Sequence, residues 1–86
     1  MSLTLLGWRR EVGRIYAEAG RFTEAIADYN QVLAEDPEAV QALVHRGNAY
    51  QAMGDAGRAR ADYTAALQLE PGSQPIKAKL RDLEAR

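Results

Sequence analysis

The side chains that could do chemistry are few and of restricted kinds. One histidine, His45, stands beside four tyrosines, Tyr16, Tyr29, Tyr50 and Tyr63, and the 86 residues contain no cysteine. General acid–base or nucleophilic catalysis needs groups that converge, and His45 has neither a cysteine nor a serine at a helical neighbour spacing to activate. A metal site would lack a second imidazole, and the adjacent Arg46 would repel a cation. The chain is therefore expected to be no enzyme, to hold no metal and to carry no cofactor. What remains is a cationic pair: Arg10 and Arg14 lie four residues apart, on one side of any helix, where like charges repel by ~0.2–0.5 kcal/mol. Two readings stay open. Either Glu11 and Glu18, three and four residues from Arg14, satisfy it on an ordinary solvated face, or the pair is kept to grip carboxylates, whose geometry the planar guanidinium fork matches. The second reading predicts an acidic partner.

Composition narrows the setting. At 47% hydrophobic and 27% charged residues, the chain makes one small domain. The formal net charge is −1 and the isoelectric point is near 5.8, so no bulk positive field draws in nucleic acid or an anionic membrane. Its basic residues are interspersed with acids, and no nucleic-acid partner is expected. No apolar run approaches the ~20 residues of a membrane span. The stretch Leu3-Thr4-Leu5-Leu6 is too short for a secretory core and has no basic run before it. The expectation is a soluble chain without a membrane partner, placed by default in the cytoplasm, although a cysteine-free protein suits either redox compartment.

A repeat accounts for most of the sequence. Displaced by 34 residues, segment 6–39 falls on 40–73 with nine identities: Gly13/Gly47, Tyr16/Tyr50, Gly20/Gly54, Ala25/Ala59, Ala27/Ala61, Asp28/Asp62, Tyr29/Tyr63, Leu33/Leu67 and Pro37/Pro71. Each unit carries the spacing of two helices. In the first unit, Leu5, Trp8, Val12, Ile15, Tyr16 and Ala19 share a face before Gly20. A second helix then begins near Thr23, buries Phe22, Ala25, Ile26, Tyr29, Val32 and Leu33, and stops at Asp36-Pro37. In the second unit, Leu43, Gly47, Tyr50 and Met53 line one helix, Asp55 is placed to cap the next, and Ala59, Tyr63, Ala66 and Leu67 line that one. Beyond Pro71, Ser73 is an N-cap candidate with Pro75 in the first turn, and Ile76, Leu80 and Leu83 form a single apolar stripe on an otherwise charged helix. The four tyrosines fall at core positions and are read as packing residues rather than a ligand cage.

These residues resemble the tetratricopeptide repeat, whose 34-residue unit reads W-x2-L-G-x2-Y, then A-x3-F, then P. The second unit runs Leu43-x2-Arg46-Gly47-x2-Tyr50, Ala59-x3-Tyr63, Pro71, and the first Arg9-x2-Val12-Gly13-x2-Tyr16, Ala25-x3-Tyr29, Pro37. The resemblance implies an all-α fold: a right-handed superhelix of α-α hairpins with unit one at 6–39, unit two at 40–73 and a capping helix at 74–86, five helices in a single domain. Gly13 and Gly47 sit mid-helix, where glycine costs about 0.5–1 kcal/mol against alanine, and close helix contact is the expected compensation. Three departures stand out. Arg9 occupies the tryptophan position with Trp8 one residue early. Arg46 replaces the usual leucine, and is expected to lay its aliphatic stem over the core while its head reaches water. Gly57, where the first unit has Thr23, suggests a looser second hairpin.

The resemblance also implies a function, that of a non-enzymatic module binding a protein or peptide segment in the concave groove built from the first helix of each unit. Carried over position by position, the groove comprises Arg10, Arg14 and Ala17 from unit one. Unit two supplies Gln41, Val44, His45, Asn48 and Gln51, and the capping helix Ala78, Lys79 and Asp82. Some family members clamp a C-terminal carboxylate from such positions with lysine and asparagine; here Arg10, Arg14, His45 and Pro75 replace preferred types, and Lys79 only approximates one. The alternative is a structural fragment that stacks on copies of itself or on upstream repeats, because two units fall short of the usual three and Leu3, Leu5, Leu6 and Trp8 have no preceding helix to cover them.

Overall fold

The computed structural model describes residues 20–85. Four helices follow one another, α1 (Phe22–Glu35), α2 (Val40–Ala52), α3 (Ala56–Leu69) and α4 (Gln74–Glu84), and each packs against the next. They correspond to four of the five expected. The expected first helix, with Leu5, Leu6, Trp8, Arg10, Arg14 and Ala17, lies outside the described residues.

The breaks between helices follow from local backbone chemistry. After α1, the Asp36 carboxylate accepts the Glu38 N–H at 3.1 Å, closing a side-chain turn around Pro37. Between α2 and α3 the chain reverses through Gly54 at φ +86°, a left-handed conformation open to glycine without a Cβ penalty. Asp55 then caps α3 by accepting the Arg58 N–H at 3.1 Å, as expected of it. Ser73 caps α4 through the Ile76 N–H at 3.4 Å, with Pro75 in the first turn. Two helices start without such help: α1 begins at Phe22, one residue before the expected Thr23, and neither Arg21 before α1 nor Ala39 before α2 makes a side-chain cap bond.

Two clusters form the core. Ala25, Tyr29, Val32, Ala39 and Ala42 make one, and Leu43, Ala59, Tyr63, Ala66, Ile76 and Leu83 the other. Leu33 packs on both and joins them. The apolar stripe of α4 behaves as its spacing requires, burying Ile76 and Leu83 with Leu80 half-buried beside them. Met53 does not line the core as expected. Helix α2 ends at Ala52, so Met53 is the residue that leaves it, and it is 51% exposed.

Gly47 faces Tyr63 across the contact of α2 and α3. A Cβ built on Gly47 would stand 2.6 Å from Tyr63 Cε1 and 2.9 Å from Cδ1, closer than such atoms approach, and the Tyr63 ring is fully buried. The glycine is thus used for close approach, and the atom group it admits is an aromatic ring. Gly57 is its opposite: a Cβ there would meet only Asp55 Oδ1, at 3.9 Å.

The head of Arg46 does not reach for water. Its Nη2 and Nε donate to the two carboxylate oxygens of Asp62 at 2.7 and 2.8 Å, and its Nη1 donates to Asn30 Oδ1 at 2.7 Å. Asp62 is 7% exposed in its side chain and Arg46 23%. The physical reason is register, since residue 62 on α3 lies directly opposite residue 46 on α2 and presents the fork with its bidentate partner. One guanidinium therefore ties α1, α2 and α3 together. The bond to Asp62 raises the Arg46 pKa against the opposing effect of burial, so the charge is permanent. Tyr50 stacks alongside, with the guanidinium carbons of Arg46 and Arg58 at 6.0 and 5.9 Å from its ring centre.

Two sets of substitutions test these contacts by thermal or denaturant unfolding. Gly47→Ala is expected to lower stability by ~1 kcal/mol net, since overpacking of about 1–3 kcal/mol outweighs the helix-propensity gain of about 0.5–1 kcal/mol. Gly57→Ala, with open space, is expected to be neutral or to gain ~0.5 kcal/mol; equal effects at the two glycines would refute the close-approach assignment. Arg46→Leu is expected to cost about 1–3 kcal/mol by stranding the Asp62 carboxylate, and adding Asp62→Leu should recover most of that loss, because an apolar pair can replace a buried ion pair.

Candidate functional site

Helices α2 and α4 flank α3, and the side chain of Tyr63 on α3 extends past Gly47 to the residues they contribute. Its hydroxyl donates to Asn48 Oδ1 at 2.6 Å and also faces Gln51 Oε1 at 3.0 Å. Gln51 in turn donates from Nε2 to Asp82 Oδ2 on α4 at 3.1 Å. Lys79, also on α4, sets its Nζ 5.8 Å from the centre of the Tyr63 ring, where the ring's negative face attracts a cation. Four expected groove residues, Asn48, Gln51, Lys79 and Asp82, thus converge on one tyrosine.

The other expected positions separate from this cluster. His45 stacks on Tyr29 of α1, ring centres 5.8 Å apart and planes 20° from parallel. Val44 is half-buried against the second core cluster. Gln41 and Ala78 are exposed. Arg10, Arg14 and Ala17, like the expected self-association residues Leu5, Leu6 and Trp8, lie outside the described residues. Among the described residues no group of three metal-ligating side chains comes together, and no described helix is long and apolar enough to cross a membrane.

Electrostatics keep the tyrosine a donor. Burial pushes the Tyr63 pKa up to about 12, and the negative charges of Asp62 and Asp82 push in the same direction. The hydroxyl therefore holds its proton throughout the physiological range.

Two features escape a reading of the sequence as packing and charge. Tyr63 is a core residue, yet its hydroxyl is also the hub of the polar cluster; the available signal was tyrosine at this position in both units, Tyr29 and Tyr63. The second is Asp62, the one buried charged residue among those described. Its signal was the mid-helix identity Asp28/Asp62, at a place where aspartate is a poor helix former.

Comparison with known proteins places this geometry. A family model described as TPR repeat matches residues 13–54, and a second, described as tetratricopeptide repeat, matches residues 40–73. Mouse (Mus musculus) tetratricopeptide repeat protein 14 is 36% identical over 58 residues, which are 67% of this chain and 8% of that protein. Among solved structures, the first TPR of Spaghetti (RPAP3) bound to HSP90 peptide SRMEEVD superimposes with a TM-score of 0.86 at 26% identity. That match covers 90% of this chain and 61% of the other. The chain thus spans under two thirds of the length of either protein.

The hydroxyl's environment predicts an alkaline weakness. An unfolded tyrosine loses its proton near 10.0 and Tyr63 in the fold near 12, so between these values the unfolded state binds fewer protons and stability falls as pH rises. Absorbance at 295 nm should show a tyrosinate appearing late, accompanied by loss of helix. In Tyr63→Phe the late component and the decline that accompanies it should both shrink by the share of one tyrosine.

Proposed function

The chain belongs to the tetratricopeptide repeat family, and from that premise we propose that it is a non-enzymatic protein-interaction module taking a partner's peptide segment in its groove. The observation that carries this reading is the polar cluster around Tyr63, set between α2 and α4, in a fold similar to a repeat domain whose solved structure holds a bound peptide. An extended peptide offers backbone carbonyls along its length, and Asn48 and Gln51 are side chains suited to recognising them. Gln41, Val44 and His45 continue the same helix toward unit one and supply shape.

The partner segment is proposed to be acidic. Arg10 and Arg14 supply the two guanidiniums, and Lys79 a third cation at the capping end. The like-charge cost of setting Arg10 beside Arg14 is relieved when a carboxylate lies between them. Asp82 is the counterweight: it puts a negative charge at the capping end, so the acidic residues of the ligand are assigned to the unit-one end. The acid is a carboxylate of an extended or C-terminal peptide.

Binding of fluorescent SRMEEVD peptide, read by anisotropy against its Glu→Lys counterpart, tests the proposal. The wild-type chain is expected to prefer the acidic peptide. Arg10→Glu with Arg14→Glu should weaken that binding at least about tenfold, since a charge-assisted hydrogen bond contributes about 1.5–3 kcal/mol, while helicity stays unchanged. Full affinity in the double variant would remove the arginines from the groove.

A further inference from the structure

We propose that Asp82 recognises a cation of the ligand: the segment taken by the groove carries a lysine or arginine at the capping end, opposite in charge to its acidic end. This rests on the peptide-groove reading above and names the class of ligand that the site takes, a segment with two ends of opposed charge.

The Asp82 carboxylate is tied to the groove. Ionised, it can only accept, so Gln51 must present Nε2 to it, at 3.1 Å, and its own Oε1 to the Tyr63 hydroxyl, at 3.0 Å. Gln51 is thereby held at both ends of its amide, and a carboxylate of α4 is joined across to α2 beside Tyr63. The charge of Asp82 is felt at that place: after burial and Asp62, it is the third influence that raises the Tyr63 pKa.

Lys79 does not take this carboxylate. It lies three residues before Asp82 on α4, a spacing at which opposite charges pair. Its Nζ is set instead over the Tyr63 ring, 5.8 Å from the centre, and among the described residues no ion pair joins Lys79 to Asp82. Lys79 is half-buried there and Asp82 is exposed, so a ligand lying along the groove meets the carboxylate before the ammonium. A carboxylate has about four acceptor positions, enough to take the planar fork of an arginine, or a lysine ammonium, beside the bonds it makes within the chain. An acidic residue at the same point would meet a like charge. Attraction for one sign together with repulsion of the other is how a site discriminates between ligands.

Fluorescent SRMEEVD peptide is compared with its Arg→Gln, Arg→Lys and Arg→Glu counterparts, and the quantity read is the ratio of affinities, in which contributions common to all the peptides cancel. On the wild-type chain the Arg→Gln peptide should bind about two- to fivefold more weakly than the parent, as for an exposed ion pair. The Arg→Glu peptide should bind more weakly still, and the Arg→Lys peptide nearly as well as the parent. Asp82→Asn keeps an acceptor for Gln51 and removes only the charge; at an exposed position it should leave helicity and the unfolding midpoint unchanged. In that variant the parent and Arg→Gln peptides should bind alike, and in Asp82→Lys the Arg→Glu peptide should become the preferred one. Equal binding of the parent and Arg→Gln peptides by the wild type would mean that Asp82 only repels acids. An unaltered ratio in Asp82→Asn would mean that another group meets the arginine. Either result overturns the proposal and leaves the groove reading standing, whereas binding of none of the peptides by the wild type overturns both. Without any ligand, the late tyrosinate of Tyr63 should appear at lower pH in Asp82→Asn than in the wild type; an unshifted titration would place the Asp82 charge away from the groove and overturn the proposal as well.

Discussion

The absence of one carbon atom at residue 47 organises much of what is described. With no Cβ on Gly47, the Tyr63 ring can lie against the α2 backbone, and from that seat its hydroxyl reaches the next residue, Asn48, and one turn further, Gln51. The same contact closes the core cluster that α4 completes with Ile76 and Leu83. Packing and polar organisation are thus not separable at this point. A larger residue at 47 would push the ring out of the core and the hydroxyl out of register in one movement, so the glycine's helix cost is offset by two gains of different kinds.

Arg46 supplies what apolar contact alone would not. Alanines make up much of the α1–α2 contact, with Ala25, Ala39 and Ala42 buried there, and small side chains define relative rotation only weakly. The fork of Arg46 has one acceptable placement, set by Asp62 on α3 and Asn30 on α1. A bidentate pair with low exposure contributes specificity of geometry more dependably than stability, because desolvation of both charges offsets much of their attraction. The departure from leucine at this position exchanges some apolar burial for a fixed orientation of three helices. That orientation is what aligns α2 with its neighbours on either side.

The fold was more legible in the sequence than the site. Periodicity, paired turns and caps locate α1 to α4 almost to the residue, because Asp55, Ser73, Gly54 and Pro37 act locally and their effects do not depend on the rest of the chain. Met53 shows where periodicity overreaches: the spacing continues past Ala52, but the helix does not. Side-chain pairings across helices were legible only as possibilities. Arg46 read alone is an exposed cation with a long stem; its pairing depends on which residue of α3 lies opposite, a matter of inter-helix register that no local pattern encodes. Tyr63 read alone is a core aromatic, and the second use of its hydroxyl needs Asn48 and Gln51 at the right height on another helix. The resemblance named Asn48, Gln51 and Lys79 as groove residues but was silent on the tyrosine that joins them.

This hub changes how the groove's charge should be understood. A count of charges at the capping end gives Lys79 and Asp82 in balance, which would argue for no preference at all. Their placement says more than the count. Lys79 is drawn over the Tyr63 ring and Asp82 is bonded to Gln51, so both act on the polar cluster around Tyr63, and moving either away would give up a contact already made. Under the proposed function, Lys79 adds its attraction for an acidic segment from its seat over the Tyr63 ring, beside the contribution proposed for Arg10 and Arg14. Attraction of that kind is screened within about 10 Å at 0.1 M salt, whereas the hydrogen bonds that Tyr63, Asn48, Gln51 and Asp82 make among themselves are far less sensitive.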